Sequence, residues 1–216
     1  MNLNLGYTQL IIKKAQERKV SLNRLAYILA TAYWETAKTM KPVKEAFWLS
    51  EDWRKKNLRY FPWYGRGFVQ LTWEANYKKA SVKLGKDFIK NPDAVMEPEN
   101  SAEILVVGSL EGWFTGKSVF DYIDDVDESD VEDMKEYQNA RRVINGVDKA
   151  VEIAKLALEY EADLKKAGYT TDVVQTSIIV PTVPSVNVDT PPTPKPVENA
   201  PMTLWDLIKA ILGALR

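Results

Sequence analysis

The sequence predicts a mainly helical domain with an aromatic, loop-built lobe, followed by a proline-rich linker and a separate amphipathic helix. Helical apolar spacing recurs through most of the first 168 residues, prolines, glycines and aromatics crowd between 42 and 72, and residues 180–201 are proline-rich and nearly free of large side chains. With 216 residues and 45% hydrophobic content, the chain can bury one ordinary core and carry a short appendage.

Leu10, Ile11, Lys14 and Ala15 mark a first short amphipathic helix. Ser21 suits the N-cap of a second, running through Leu22, Leu25, Leu29 and Ala32 toward Met40, with Pro42 as its stop. Nearly every residue from Ala26 to Trp34 is apolar or aromatic, so this helix is expected to be buried almost all round. Residues 42 to 72 lack periodicity and read as loops, with a small ribbon compatible with Phe68 to Leu71. Further helices are expected at 73–84, 98–113, 129–144 and 148–167, with Gly85, Gly116, Gly146 and Gly168 as stops. Residues 1–170 therefore form the main domain, 171–201 an extended linker and 202–216 a helix. In that last helix Leu204, Leu207, Ile208, Ile211 and Leu215 share one face.

Composition narrows the chemistry. A chain with no histidine and no cysteine runs neither a Ser-His-Asp nor a Cys-His mechanism, and lacks the ligands of the usual zinc hydrolase site. Proton transfer then falls to Asp and Glu. A formal charge of −1 gives no general field for nucleic acid. The start of the sequence shows no basic segment followed by an apolar one, so synthesis in a cytoplasm is expected, and the absence of cysteine leaves the final location open.

Glu35 falls at the end of the buried helix, where apolar walls and the negative helix terminus both favour its protonated form. A protonated acid can donate to a glycosidic oxygen when a second, ionised carboxylate faces the same bond. Glu45, ten residues on, is the leading partner, with Glu51 and Asp52 as further acids. The competing reading of Glu35 is a helix-end glutamate paired with a nearby Lys or Arg. Gly65 and Gly67 permit tight turns beside a substrate, Gln70 and Asn76 are amides suited to sugar hydroxyl and acetamido groups, and Thr72 can hold a water.

Glu35-Thr36, Glu45, Tyr64-Gly65-Arg66-Gly67, Gln70-Leu71-Thr72, Asn76-Tyr77 and Ile144-Asn145-Gly146 together resemble the family-19 glycoside hydrolases, especially compact chitinase-like endolysins of bacteriophages. The resemblance covers about residues 20 to 165. It implies a lysozyme-like, two-lobed helical fold and inverting, metal-free hydrolysis of β-1,4 bonds between N-acetylated sugars. It makes Glu35 the general acid, Glu45 the general base and Thr72 the residue that helps position water. Gln70, Asn76 and Asn145 fall on substrate or water contacts, and Tyr64 on the aromatic preceding Gly-Arg-Gly. Two departures stand out: Trp34 occupies the place where most relatives have histidine, and Ala37-Lys38-Thr39-Met40 replaces a glycine pair, which looks like the phage branch.

Five of the seven tryptophans, Trp34, Trp48, Trp53, Trp63 and Trp73, cluster around this region, and Trp63 and Trp73 are the best placed to meet sugar C–H faces. Others pack the small lobe. Arg54, Lys55, Lys56 and Arg59 form a basic run suited to an anionic wall or simply to solvent. Asp124 to Asp130 lacks the glycine and terminal glutamate of a calcium loop, while Ser129 and Glu132 form a capping box; neither metal nor cofactor is expected. The last helix, roughly fifteen residues long, suits a membrane surface better than a bilayer span. The expectation is cleavage of peptidoglycan glycan strands between N-acetylmuramic acid and N-acetylglucosamine, causing host lysis. A chitinase, a lytic transglycosylase and a non-catalytic wall-binding or virion module are the alternatives.

Overall fold

One segment of the chain has no polar face, and the other helices are arranged around it. In the computed structural model, which describes residues 1–125 and 129–171, this segment is α2, Leu22–Glu35. Tyr27, Leu25, Ile28 and Leu29 are fully buried within it. Full burial of each aliphatic side chain contributes about 1.5–3 kcal/mol. α2 packs chiefly against α7, Ala150–Lys166, and also meets α1, Thr8–Glu17, α5, Pro98–Glu111, and α6, Asp130–Ala140. The mainly helical domain expected from sequence is what the structure contains.

The remaining elements are smaller. β1, Val43–Lys44, pairs antiparallel with β2, Arg66–Gly67, in the register Val43 opposite Gly67 and Lys44 opposite Arg66. α3, Glu51–Asn57, lies between these strands in sequence, and α4, Glu74–Leu84, follows them. Single 3-10 turns occupy Pro92–Met96, Val119–Asp121 and Arg141–Val143.

Several boundaries differ from expectation for local reasons. α2 stops at Glu35 because Ala37 and Lys38 turn left-handed, at φ 50° and 66°, and the Lys38 amide donates back to the Tyr33 carbonyl at 2.7 Å. Thr36 completes the stop: its hydroxyl donates to the Ala32 carbonyl at 2.8 Å and accepts from the Met40 amide at 3.0 Å. Pro42 lies beyond the end already made. Ser21 occupies the N-cap position in extended conformation, but its hydroxyl contacts Arg24 instead of a helix amide. The ribbon runs from 43–44 to 66–67, with only the bridge from Arg66 to Leu71 touching the expected stretch. α3 interrupts a region read as loops, capped by Ser50, whose hydroxyl accepts from the Trp53 amide at 3.1 Å. Gly112, at φ 67°, ends α5 in place of Gly116.

The capping box expected at 129–132 is present, with the Glu132 carboxylate accepting from the Ser129 amide at 3.3 Å and from its hydroxyl at 2.8 Å. Asp125, in the same acidic run, pairs with Arg24. Residues 126–128, the linker apart from Thr171, and the expected helix at 202–216 lie outside the described residues. No described helix is long and apolar enough to cross a membrane.

The turn after α2 is pinned from the N-terminus. The Tyr7 amide donates to the Met40 carbonyl at 2.8 Å, and Gly6, at φ 52°, approaches so closely that a Cβ would stand 2.4 Å from the same oxygen. Gly6→Ala is therefore expected to destabilise the domain by about 2–3 kcal/mol, since both the backbone angle and a backbone contact oppose it. Urea unfolding checks this value.

Candidate active site

The acidic residue at the end of α2 faces a cation brought from 106 residues further along the chain. Glu35 is 9% exposed, and its Oε1 accepts from Nη2 of Arg141 at 2.9 Å. Its other oxygen accepts no hydrogen bond among the described residues. Arg141 is itself only 2% exposed, and its Nε donates to the Asp148 carbonyl at 2.9 Å. α2 also helps to place it: the Tyr27 hydroxyl donates to the Ala140 carbonyl at 2.8 Å, directly before Arg141. Burial pushes the Tyr27 phenol up to about 12, so it remains a donor at any physiological pH. The sequence reading supplied apolar walls and a helix terminus around Glu35. The structure adds a buried guanidinium that offsets the lost hydration of the charged carboxylate.

Glu45 leaves β1 and is held on both oxygens. Oε1 accepts from the Tyr60 hydroxyl at 2.7 Å, and Oε2 accepts from the Gly65 amide at 3.0 Å. The backbone also closes on itself, with the Glu45 amide donating to the Gly65 carbonyl at 2.7 Å. A Cβ at Gly65 would lie 3.3 Å from Glu45 Oε2 and 2.8 Å from Gln70 Oε1, which explains a glycine at this point. Burial first, and the neighbouring Glu45 second, push the Tyr60 phenol well above its ordinary value. Two fixed donors set the plane of the carboxylate while leaving lone pairs on both oxygens for water.

Behind this carboxylate is a layer of stacked charge. Arg54, 5% exposed, donates to the Glu45 and Ala46 carbonyls at 2.8 Å each and to Glu51 at 3.1 Å. Tyr64 is fully buried, with the Arg66 guanidinium 3.6 Å from its ring centroid. Its hydroxyl donates to Glu51, and burial, opposed by Arg66 and reinforced by Glu51, pushes it up to about 12. Arg66 continues to Asp93 at 2.8 Å, and Lys44 reaches the other oxygen of Asp93 at 2.7 Å. Burial alone would raise the Asp93 carboxyl; hydrogen bonds from Lys44 and Arg66 outweigh it and hold the group below its ordinary value.

The other sequence candidates are distributed unevenly. Gln70 serves the ribbon: its amide nitrogen donates to the Val43 and Gly67 carbonyls at 2.9 and 3.1 Å, while its oxygen is buried without a hydrogen bond. Tyr64, the aromatic before Gly-Arg-Gly, offers no exposed surface to a sugar, because Arg54 and Arg66 lie over its ring and its hydroxyl donates to Glu51. Thr72 is half-buried, its hydroxyl donating to the Gln70 carbonyl at 2.7 Å. Asn76 is half-buried and donates to the Thr72 carbonyl at 2.9 Å, and Asn145 is exposed. Trp73 is 43% exposed and packs on Tyr60 with ring centroids 4.8 Å apart. Trp63 is half-buried and its indole nitrogen is buried without a hydrogen bond. Arg142 turns to Asn139 and Arg66 to Asp93, leaving Arg141 as the arginine on Glu35.

Sequence reasoning missed the role of Tyr60. It counted this tyrosine among the aromatics, because nothing in a one-dimensional pattern places a phenol fifteen residues away on Glu45. A shallow groove of about 350 Å3 lined by Ser21, Asp125, Lys165 and Tyr169 lies at the opposite end of α2 and touches none of these groups. Among the described residues no cluster of three or more Asp or Glu side chains is arranged to hold a metal ion.

A helical domain that presents shielded carboxylates beside exposed aromatic surface, with neither histidine nor cysteine, has the makings of a carboxylate-dependent glycosidase. Residues 26–155, more than half of the 216, match the family described as chitinase class I, and the chain belongs to this family of glycoside hydrolases, family 19. A 53-residue stretch is 42% identical to Chitinase 8 of Oryza sativa subsp. japonica, covering 24% of this chain and 18% of the rice protein. The chain thus spans less than a fifth of that relative's length. No solved structure matches.

Arg141→Gln should cost about 2–4 kcal/mol in chemical denaturation at neutral pH, because it strands a shielded carboxylate. Combining it with Glu35→Gln should recover part of that loss. The Asp93 clasp should be sensitive to acid. A carboxyl held low in the folded state contributes stability above its unfolded value of about 3.9 and loses it as the pH falls below that. Asp93→Asn is expected to weaken the fold at pH 6 and to flatten the stability change between pH 5 and 3, as followed by urea titration.

Proposed function

We propose that this protein is a glycosidase, a phage or prophage endolysin that cleaves peptidoglycan between N-acetylmuramic acid and N-acetylglucosamine by an inverting, two-carboxylate mechanism. The carrying observation is the unequal treatment of the two carboxylates. Glu35 has one oxygen held by Arg141 and the other without a hydrogen bond among the described residues, whereas Glu45 has both oxygens held by donors. An oxygen free of protein donors can carry and deliver a proton; a carboxylate fixed in its plane can receive one.

In the proposed reaction, Glu35 protonates the leaving glycosidic oxygen as the bond to the anomeric carbon breaks. Water attacks from the opposite face, and Glu45 takes its proton. The Thr72 hydroxyl donates a hydrogen bond to the Gln70 carbonyl, which leaves its oxygen able to accept one from that water. Inversion needs about 6.5–9.5 Å between the two carboxyl groups to accommodate the water. The Ala37-Lys38-Thr39-Met40 turn and its resemblance to the phage branch support a wall substrate. Similarity to the rice chitinase supports a second reading, hydrolysis of N-acetylglucosamine polymers. Synthesis in the host cytoplasm, action in the periplasm and membrane contact through residues 202–216 complete the proposal.

Purified Gram-negative peptidoglycan, digested and analysed by mass spectrometry after tagging of reducing ends, tests it. Reducing N-acetylmuramic acid ends are expected from the native protein, with turnover at least about 100-fold lower for Glu35→Gln, a loss in the usual range for removing a general acid. Reducing N-acetylglucosamine ends would move the bond assignment. Products independent of Glu35 would remove it from the chemistry. Deletion of residues 202–216 is expected to reduce vesicle binding and lysis of intact cells while sparing hydrolysis of purified wall.

A further inference from the structure

The basic run at 54–59 is a single feature in the sequence, but the structure divides it. Arg54 is buried and its guanidinium is committed to the Glu45 and Ala46 carbonyls and to Glu51. Lys55 and Lys56 are exposed on α3. Arg59 is exposed too, yet it is oriented: its guanidinium carbon lies 5.1 Å from the ring centroid of Trp73. It pairs with no carboxylate among the described residues.

Trp73 links this cation to the candidate site. Its ring meets Tyr60, and Tyr60 donates to Glu45. Glu45, Tyr60, Trp73 and Arg59 therefore form a contiguous chain of contacts from a proposed catalytic carboxylate to an unpaired, exposed guanidinium. Held over the ring by attraction between its charge and the aromatic face, the guanidinium keeps its N–H donors free of protein acceptors, and such a fork can receive a carboxylate on two parallel hydrogen bonds. A lysine in the same place would lack the fork.

We infer that Arg59 is a specificity residue that binds a carboxylate carried by the glycan, with Trp73 as its positioning residue. The ligand class is a β-1,4 glycan bearing carboxylates, either on the sugar's lactyl ether or on an attached peptide. A glycan of N-acetylglucosamine alone has no group for this site. The inference rests on the cleft reading of Glu35 and Glu45 given above.

Binding in the Glu35→Gln background, where substrate is not consumed, separates the two ideas. Calorimetry would use four soluble tetrasaccharides: N-acetylglucosamine only, peptide-free muramic acid with free lactyl carboxylates, the same glycan with those groups as methyl amides, and a peptide-bearing form. Adding Arg59→Gln is expected to weaken a carboxylate-bearing ligand about fivefold at low ionic strength, and less at high salt, as for an exposed ion pair. Loss confined to the peptide-free form identifies the lactyl group, and loss confined to the peptide-bearing form identifies the peptide. The effect should vanish for the methyl amide, and Arg59→Lys should recover only part of the affinity. Equal weakening of neutral and charged ligands, or no weakening of either charged form, overturns the role of Arg59 alone. Failure of all four tetrasaccharides to bind when Arg59 is intact overturns the cleft reading and this inference with it.

Discussion

The contact between Glu35 and Arg141 carries the strongest constraint in this protein. It joins the end of the most buried helix to a turn more than a hundred residues later, with a hydrogen bond of 2.9 Å between two shielded, oppositely charged groups. Neither partner is stable alone in such surroundings, since an unpaired buried charge loses hydration that the protein must replace. The pair thus requires α2, α6 and the turn after it to be in place together. Tyr27 reinforces the same requirement by tying the middle of α2 to Ala140. Packing of α7 against both α2 and α6 supplies the apolar support beneath it.

The second candidate carboxylate is secured differently. Glu45 belongs to a region with little apolar core, so hydrogen bonds and stacked rings take over the work of packing. Arg54 and Arg66 flank Tyr64, whose carbonyl in turn accepts from the Tyr77 hydroxyl at 2.7 Å. This layer fixes both ends of the segment that carries Glu45, Tyr60 and the Gly65 amide. A charged acid is thereby anchored by a polar scaffold, while its counterpart on α2 is anchored by a hydrophobic one.

Backbone strain is concentrated between these supports. Ala37, Lys38, Met40, Ala46, Gln70 and Trp73 all have positive φ, whereas only Lys19 and Lys149 do so elsewhere among the described non-glycine residues. Such conformations cost of order 1–3 kcal/mol each and persist where surrounding contacts enforce them. Here the enforcing contacts are explicit: Gln70 donates to two ribbon carbonyls, and the Met40 carbonyl is clasped by Tyr7. The strain falls in the stretch containing or adjoining Glu35, Glu45, Thr72 and Trp73, as expected for side chains aimed for chemistry instead of for packing.

What the sequence determined by itself was whatever depends on local pattern. The apolar run from Ala26 to Trp34 specifies a helix buried all round, and the absence of histidine and cysteine restricts any hydrolytic chemistry to carboxylates. The Gly65-Arg66-Gly67 segment was legible as a place where the backbone comes close to something important. Tertiary structure alone decided which partners those groups meet. Ser50, Glu51 and Asp52 held a readable signal for α3, obscured by the aromatics around it. No local signal placed Arg141 on Glu35, Tyr60 on Glu45 or Arg59 on Trp73. Periodicity says which side of a helix faces inward, because that depends on neighbours a turn away. The direction of a long polar side chain in a loop depends on elements folded from distant parts of the chain, and only their packing sets it.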